Sequence, residues 1–202
     1  MISRKVALQL TTAGVIGGIA FCSFAAGAEP LGDQRRISAQ APDGNPLFDA
    51  SQSAIAFNSL HNEHLVVWQG VTATAGEFEI FAQRVDLDGN RRGSVTRVSD
   101  MGPDGNTAFG AFDPAVVYNV ASNEYLVTWS GDDNTGSLID GESEIYGQRV
   151  AAAGTRVGAN FRISGAGATR NDGNPALAHN STAGEFLVVW QDGRNVTTRL
   201  SD

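Results

Sequence analysis

The sequence has 202 residues, with 22 acidic side chains against 14 basic ones, a net charge of −8 and a single cysteine. That balance excludes nucleic acid as a natural partner, since phosphate binding rests on clustered Lys and Arg. One cysteine, Cys22, excludes an internal disulfide and a cysteine-based metal cluster, so the core must hold by packing alone.

The chain opens with Arg4 and Lys5, an apolar small-residue stretch from Val6 to Ala26, the small-x-small site Ala26-Gly27-Ala28 and then polar Glu29. This order predicts a secretory signal peptide over residues 1–28, cleaved after Ala28. Gln9, Thr11, Thr12 and several glycines weigh against a membrane-spanning anchor. Residues 29–202 are then a single exported domain, extracellular or periplasmic, with no lysine, no cysteine and no membrane contact after cleavage.

The rest of the chain repeats itself. Trp68, Trp129 and Trp190 are spaced by 61 residues, as are Asn58, Asn119 and Asn180, and Glu63, Glu124 and Glu185. Each tryptophan ends an apolar run, such as Leu65-Val66-Val67-Trp68. The segment Glu79-Ile80-Phe81-Ala82-Gln83-Arg84-Val85 returns as Glu144-Ile145-Tyr146-Gly147-Gln148-Arg149-Val150. Arg36-Ile37-Ser38, Arg97-Val98-Ser99 and Arg162-Ile163-Ser164 form a fourth series. The units run over about 39–99, 100–164 and 165–202, with the N-terminal segment 36–38 read as a lone fourth strand. In the second unit, β-branched and aromatic runs separated by Asn, Asp, Gly and Ser predict four strands: Pro114–Asn119, Glu124–Trp129, Glu144–Val150 and Val157–Ser164. Strands apolar at successive positions need cover on both faces. Four-stranded antiparallel sheets repeated radially provide it, so the expected fold is all-β, with three β-propeller-like blades. A β-sandwich gives no reason for the period.

The pattern Asp/Asn-Pro-Ala-Val, Tyr-Asn, Glu-Tyr-Leu-Val-Val-Trp, Glu-Ile-Tyr-Gly-Gln-Arg-Val, Gly, Arg-Ile-Ser resembles a repeat of secreted bacterial proteins. That resemblance covers almost all of residues 33–202 and implies a propeller-like fold; it carries no catalytic residues. The first copy departs from it, lacking the proline in Ala54 to Asn58. The third lacks Glu-Ile-Tyr-Gly before Arg199.

Candidate sites sit mainly in the loops. Asp132, Asp133, Asp140, Glu142 and Glu144 crowd the segment after Trp129, where carboxylates suit a cation or acid–base work on a glycoside. A solvated insertion is the plainer reading. Asp104 and Asp172 lie in the other long loops, and the expected ligand-binding set is Asp132, Asp133, Asp140, Glu142, Asp104 and Asp172. Asp86-Leu87-Asp88-Gly89-Asn90 has calcium-loop spacing, but its counterpart Ala151-Ala152-Ala153-Gly154 keeps only the glycine, so a hairpin turn is expected, with no metal and no cofactor. His61, His64 and His179 match no zinc spacing. The tryptophans are expected in the core, and the Glu63 and Arg84 series are expected to pair or cap strands between blades.

A meander places the long second-to-third-strand loops (69–78, 130–143) and the fourth-to-first-strand loops (100–113, 165–173) on one face. Binding residues gather on such loops. The expected function is therefore a non-enzymatic extracellular module for a protein or glycan ligand. The alternatives are a secreted glycan hydrolase using loop carboxylates, or a remnant of a longer repeat protein. Three blades should not close a ring, which leads to the expectation of a homodimer that completes a six-bladed one.

Overall fold

The computed structural model describes residues 34–39, 49–132, 142–165, 171–193 and 195–201. The chain divides into two units, Met1–Gln34 and Arg35–Asp202, and the architecture below belongs to the second. The proposed signal peptide lies outside the described residues.

The second unit is all-β, with no helix among the described residues. Among the described residues, eleven strands form three antiparallel meanders. The first sheet holds β1 (Ala50–Asn58), β2 (Glu63–Val71), β3 (Phe78–Asp86) and β4 (Arg91–Arg97). The second holds β5 (Ala111–Asn119), β6 (Glu124–Gly131), β7 (Glu144–Ala151) and β8 (Arg156–Arg162). The third is three-stranded: β9 (Asp172–Asn180), β10 (Glu185–Asp192) and β11 (Asn195–Ser201). The first strands of the sheets lie side by side, β1 against β5 and β5 against β9. No closed barrel forms among the described residues.

The repeated residues each have a local task. Asn58 Oδ1 accepts the N–H groups of Leu60 and His61 at 3.0 and 3.1 Å, closing the β1–β2 hairpin. Asn119 and Asn180 do the same at their own hairpins. An asparagine side chain of this kind mimics a backbone turn. Gln83 and Gln148 donate across to the carbonyls of Arg92 and Val157, both at 2.9 Å, where the pairing of β3–β4 and β7–β8 shifts at a bulge. Ser99 and Ser164 accept the N–H groups of Ile80 and Ile145 just beyond the fourth strands, at 2.6 and 3.0 Å.

The core lies in the seams between sheets. Leu65, Val67, Ile80 and Ala82 of the first sheet pack on Tyr125, Val127, Trp129, Tyr146 and Val150 of the second. Met101 and Phe109, from the loop joining the two sheets, fill the same seam, and the Trp129 indole N–H donates to the Met101 sulfur at 3.4 Å. The second seam joins Ile145 and Ile163 to Leu177, Val188 and Trp190. All three tryptophans are buried.

Three features of the sequence can now be compared with the structure. Arg36-Ile37-Ser38 forms no strand; its neighbour Arg35 donates to Asn90 of the first sheet. Arg84 pairs with Glu63 at 3.2 Å and Arg149 with Glu124 at 2.8 Å within their sheets, and the expected capping between blades is also made, since Arg84 donates to the Ala152 carbonyl of the second sheet at 3.5 Å. Arg199 likewise caps between blades, donating to the Ile163 carbonyl of the preceding sheet at 2.6 Å. The third strand of the last unit is formed despite its missing consensus, as β11.

Candidate functional site

Each first strand enters its sheet through the same distortion. Gln52, Asp113 and Asn174, spaced by 61 residues, adopt left-handed backbone angles with φ of 51°, 52° and 48°. The pairing of β1–β2, β5–β6 and β9–β10 shifts beside each of them. Such bulges re-aim side chains near sheet edges and sites. The Gln52 amide donates to Asp113 Oδ1 at 3.1 Å, joining two first strands where the loop face begins. Asn174 Nδ2 donates to Gln191 Oε1 at 3.3 Å.

At the same end of the third sheet, Asp172 opens β9 and Asp192 closes β10, and the two are direct cross-strand partners. The corresponding pairs in the other sheets are Ala50 with Gly70 and Ala111 with Gly131. An acid pair thus stands where the repeat otherwise has two small residues. Asp172 is buried, and burial is the main cause that lifts its carboxyl above the ordinary 3.8. Hydrogen bonds from the Ser164 hydroxyl and Trp190 indole oppose the rise, while the Asp192 charge adds to it. One oxygen of each acid, the Oδ1, has no hydrogen-bond partner among the described residues. A buried carboxyl with a raised pKa facing a second, less buried carboxyl is an arrangement suited to acid–base work.

The other expected residues are dispersed. Asp104 is exposed and bound to Arg97 at 2.5 Å, in an ion-pair group with Glu79 and Asp100. Asp132 is buried at the end of β6, its N–H donating to the Gly110 carbonyl at 3.3 Å. It lines a cavity of about 160 Å³ with Phe78, Thr107, Phe109, Phe112 and Ser143. Glu142 is half-buried beside Ser143. Asp133 and Asp140 lie outside the described residues. Of the expected residues that are described, only Asp172 is drawn into a carboxylate pair. Its partner Asp192 was not anticipated, although Gly70, Gly131 and Asp192 share the 61-residue spacing and the change to an acid is visible there.

Asp86–Asn90 forms a turn, and its carboxylate is already used. Asp86 accepts the N–H groups of Asp88 and Asn90 and the Asn90 amide, and pairs with Arg92. Among the described residues no group of three or more His, Cys, Asp or Glu is placed to hold a metal ion.

No protein-family model and no curated protein matches the chain. Solved structures do. An N-acetylgalactosamine deacetylase from F. plautii, solved with blood group B trisaccharide, is similar at a TM-score of 0.58 and 13% identity, over 85% of this chain and 54% of that one. A family 117 glycoside hydrolase from the marine bacterium Zobellia galactanivorans is similar at 0.51 and 8%, over 83% and 56%. An endo-arabinase from Bacteroides thetaiotaomicron gives 0.49 and 16%, over 81% and 57%. At such identities the likeness concerns the fold, which is β-propeller-like in these neighbours. The chain spans little more than half the length of each. The expected non-enzymatic binding module is corrected by this finding: the scaffolds the chain matches are those of glycan-active enzymes.

Proposed function

We propose that the chain forms β-propeller blades of a secreted glycan-active hydrolase, with Asp172 and Asp192 as its acid–base pair. The observation that carries this reading is the cross-strand placement of these two acids at the loop face of one sheet only. Asp172, whose burial raises its carboxyl above the ordinary value, serves as the general acid towards the leaving oxygen of a bound glycan. Asp192, less buried and facing it across the strands, either activates water or stabilises the developing positive charge. Trp190 and Ser164 fix the Asp172 carboxyl by donating to it, so it need not reorient during the reaction. Gln52, Asp113 and Asn174 supply amide and carboxyl groups at the first strands of the same face, suited to sugar hydroxyls.

The test is sugar release by the purified chain from a panel that includes arabinan and N-acetylgalactosamine glycans. Asp172→Asn and Asp192→Asn should each lower turnover at least about a hundredfold, as loss of an acid–base group does. Asp88→Asn, in a remote turn, should leave it unchanged. Activity that survives both substitutions, or a folded chain inert across the panel, overturns the proposal.

A further inference from the structure

Two aromatic side chains at the loop end of the first seam break the repeat, as the acid pair does. Phe112 stands where the other copies carry Ser51 and Gly173, and Phe78 stands where the second unit carries Ser143. Small residues serve at the matching positions, so the sheets need no ring at either place. Phe112 is nevertheless 37% exposed and Phe78 half-buried, the two in tilted contact with ring centroids 5.6 Å apart. A Cβ on Gly110 would come within 2.9 Å of the Phe112 ring, so the glycine is what leaves the ring its room.

With Thr107, Phe109, Asp132 and Ser143, the two rings line the cavity of about 160 Å³. Its walls are held in place by the fold. Buried Glu77 accepts the Gly105 N–H at 3.2 Å and the Thr72 hydroxyl, and buried Glu79 accepts the Met101 N–H at 2.9 Å. These bonds tie the joining loop to the first sheet, and the Gly110 carbonyl ties it to the second through the Asp132 N–H. Walls fixed in advance lose little freedom when a ligand binds. The cavity also adjoins the acid pair. The Ser143 carbonyl accepts the Asp172 N–H at 2.7 Å, and the Ser143 N–H donates to Asn171 Oδ1 at 3.0 Å. One residue thus lines the cavity and anchors the start of the strand that carries Asp172.

We propose that this cavity is a subsite for one neutral sugar ring of a glycan that reaches the Asp172–Asp192 pair. A cavity of about 150 Å³ encloses a single benzene ring, so the scale here is one sugar ring and not two. The C–H groups of a sugar carry slight positive charge and rest on the negative face of an aromatic ring. Its hydroxyls need polar partners once they leave water. Phe78 and Phe112 supply the first, and Asp132, Thr107 and Ser143 the second. The lining holds a carboxylate and, among the described residues, no Lys or Arg, which favours a neutral sugar over a uronate. The ligand class rests on the proposed function, whereas binding at the cavity does not need the chemistry of the acid pair.

The test measures binding apart from turnover, by titrating the full chain carrying Asp172→Asn with arabino-, N-acetylgalactosamine- and galacturonate oligosaccharides in a calorimeter. One of the two neutral glycans should bind, and the galacturonate at least about tenfold more weakly. Phe112→Ser removes a ring the first copy does without, and Ser143→Phe fills the cavity with the side chain the first copy carries. Each should weaken binding about tenfold or more with unchanged circular dichroism. Nuclear Overhauser contacts from sugar protons to the Phe78 and Phe112 rings read the same site without either cavity substitution, should one of them misfold. No binding, an affinity untouched by both cavity variants, contacts that omit both rings, or a preference for galacturonate overturns the inference. Cleavage that depends on Asp172 beside any of those results leaves the proposed function standing. Binding at the cavity by a parent chain that cleaves nothing leaves the subsite and removes the hydrolase.

Discussion

At the scale of single residues, the raised carboxyl of Asp172 has a defined effect on stability. A carboxyl whose folded value lies above its unfolded one binds its proton more tightly in the folded chain. Its penalty is absent at pH below the ordinary 3.8 and grows as pH rises through the raised value. Asp172→Asn keeps an acceptor oxygen for Ser164 and Trp190 but cannot ionise. Its melting temperature should exceed that of the parent at neutral pH, and the gap should close as pH falls below the ordinary carboxyl range. A gap that widens on acidification would contradict this sign. Trp129 presents the opposite case, an apolar group fully buried in the first seam. Trp129→Ala should cost roughly 3–5 kcal/mol in chemical denaturation, as large-to-small core changes do. The tryptophan's place was legible because it ends an apolar run in every copy. The pairing of Asp172 with Asp192 was not, because it depends on the register of β9 against β10, which the bulge beside Asn174 shifts.

At the scale of elements, the strands were legible because alternation and turn residues recur at fixed spacing. The second unit's predicted strands match β5–β8 in number and order. The bounds differ by up to three residues: β5 starts at Ala111 rather than Pro114, carrying the bulge at Asp113 within it. The segment 36–38 misled for a physical reason. In the other copies the valine or isoleucine and the serine lie beyond the fourth strand, so the motif marks where a strand stops. Its serine closes the sheet by accepting the N–H of Ile80 or Ile145. The turn at Asp86–Asn90 makes a separate prediction. Its carboxylate is held below the ordinary range by the Asn90 side chain and backbone, with Asp88 and Arg92 assisting. With those donors in place, replacing calcium by a chelator should leave the melting temperature within about a degree. A large drop would mean a native-state ligand is lost, since such a ligand stabilises by mass action.

At the scale of the whole molecule, the 61-residue period announced three like units, and the three sheets follow it. The carboxylate loop after Trp129 drew attention by composition alone, and density of acids in a sequence says little about which of them meet. Export is argued from the N-terminus: protein recovered outside the cytoplasm should begin at Glu29, as N-terminal sequencing would read, and an intact Met1 there would contradict cleavage.

The seams have a further consequence for cooperativity. Each sheet is a local meander that gains its burial only from its neighbours, so stability should accumulate along the chain as it does in nearest-neighbour arrays. Among the described residues, the second sheet is clasped on both faces, while the third has one seam and three strands. Amide hydrogens of β6 and β7 should therefore exchange most slowly with solvent, and those of β11 far faster, so that opening begins at the third sheet. Uniform protection across all three sheets would mean the molecule opens only as a whole.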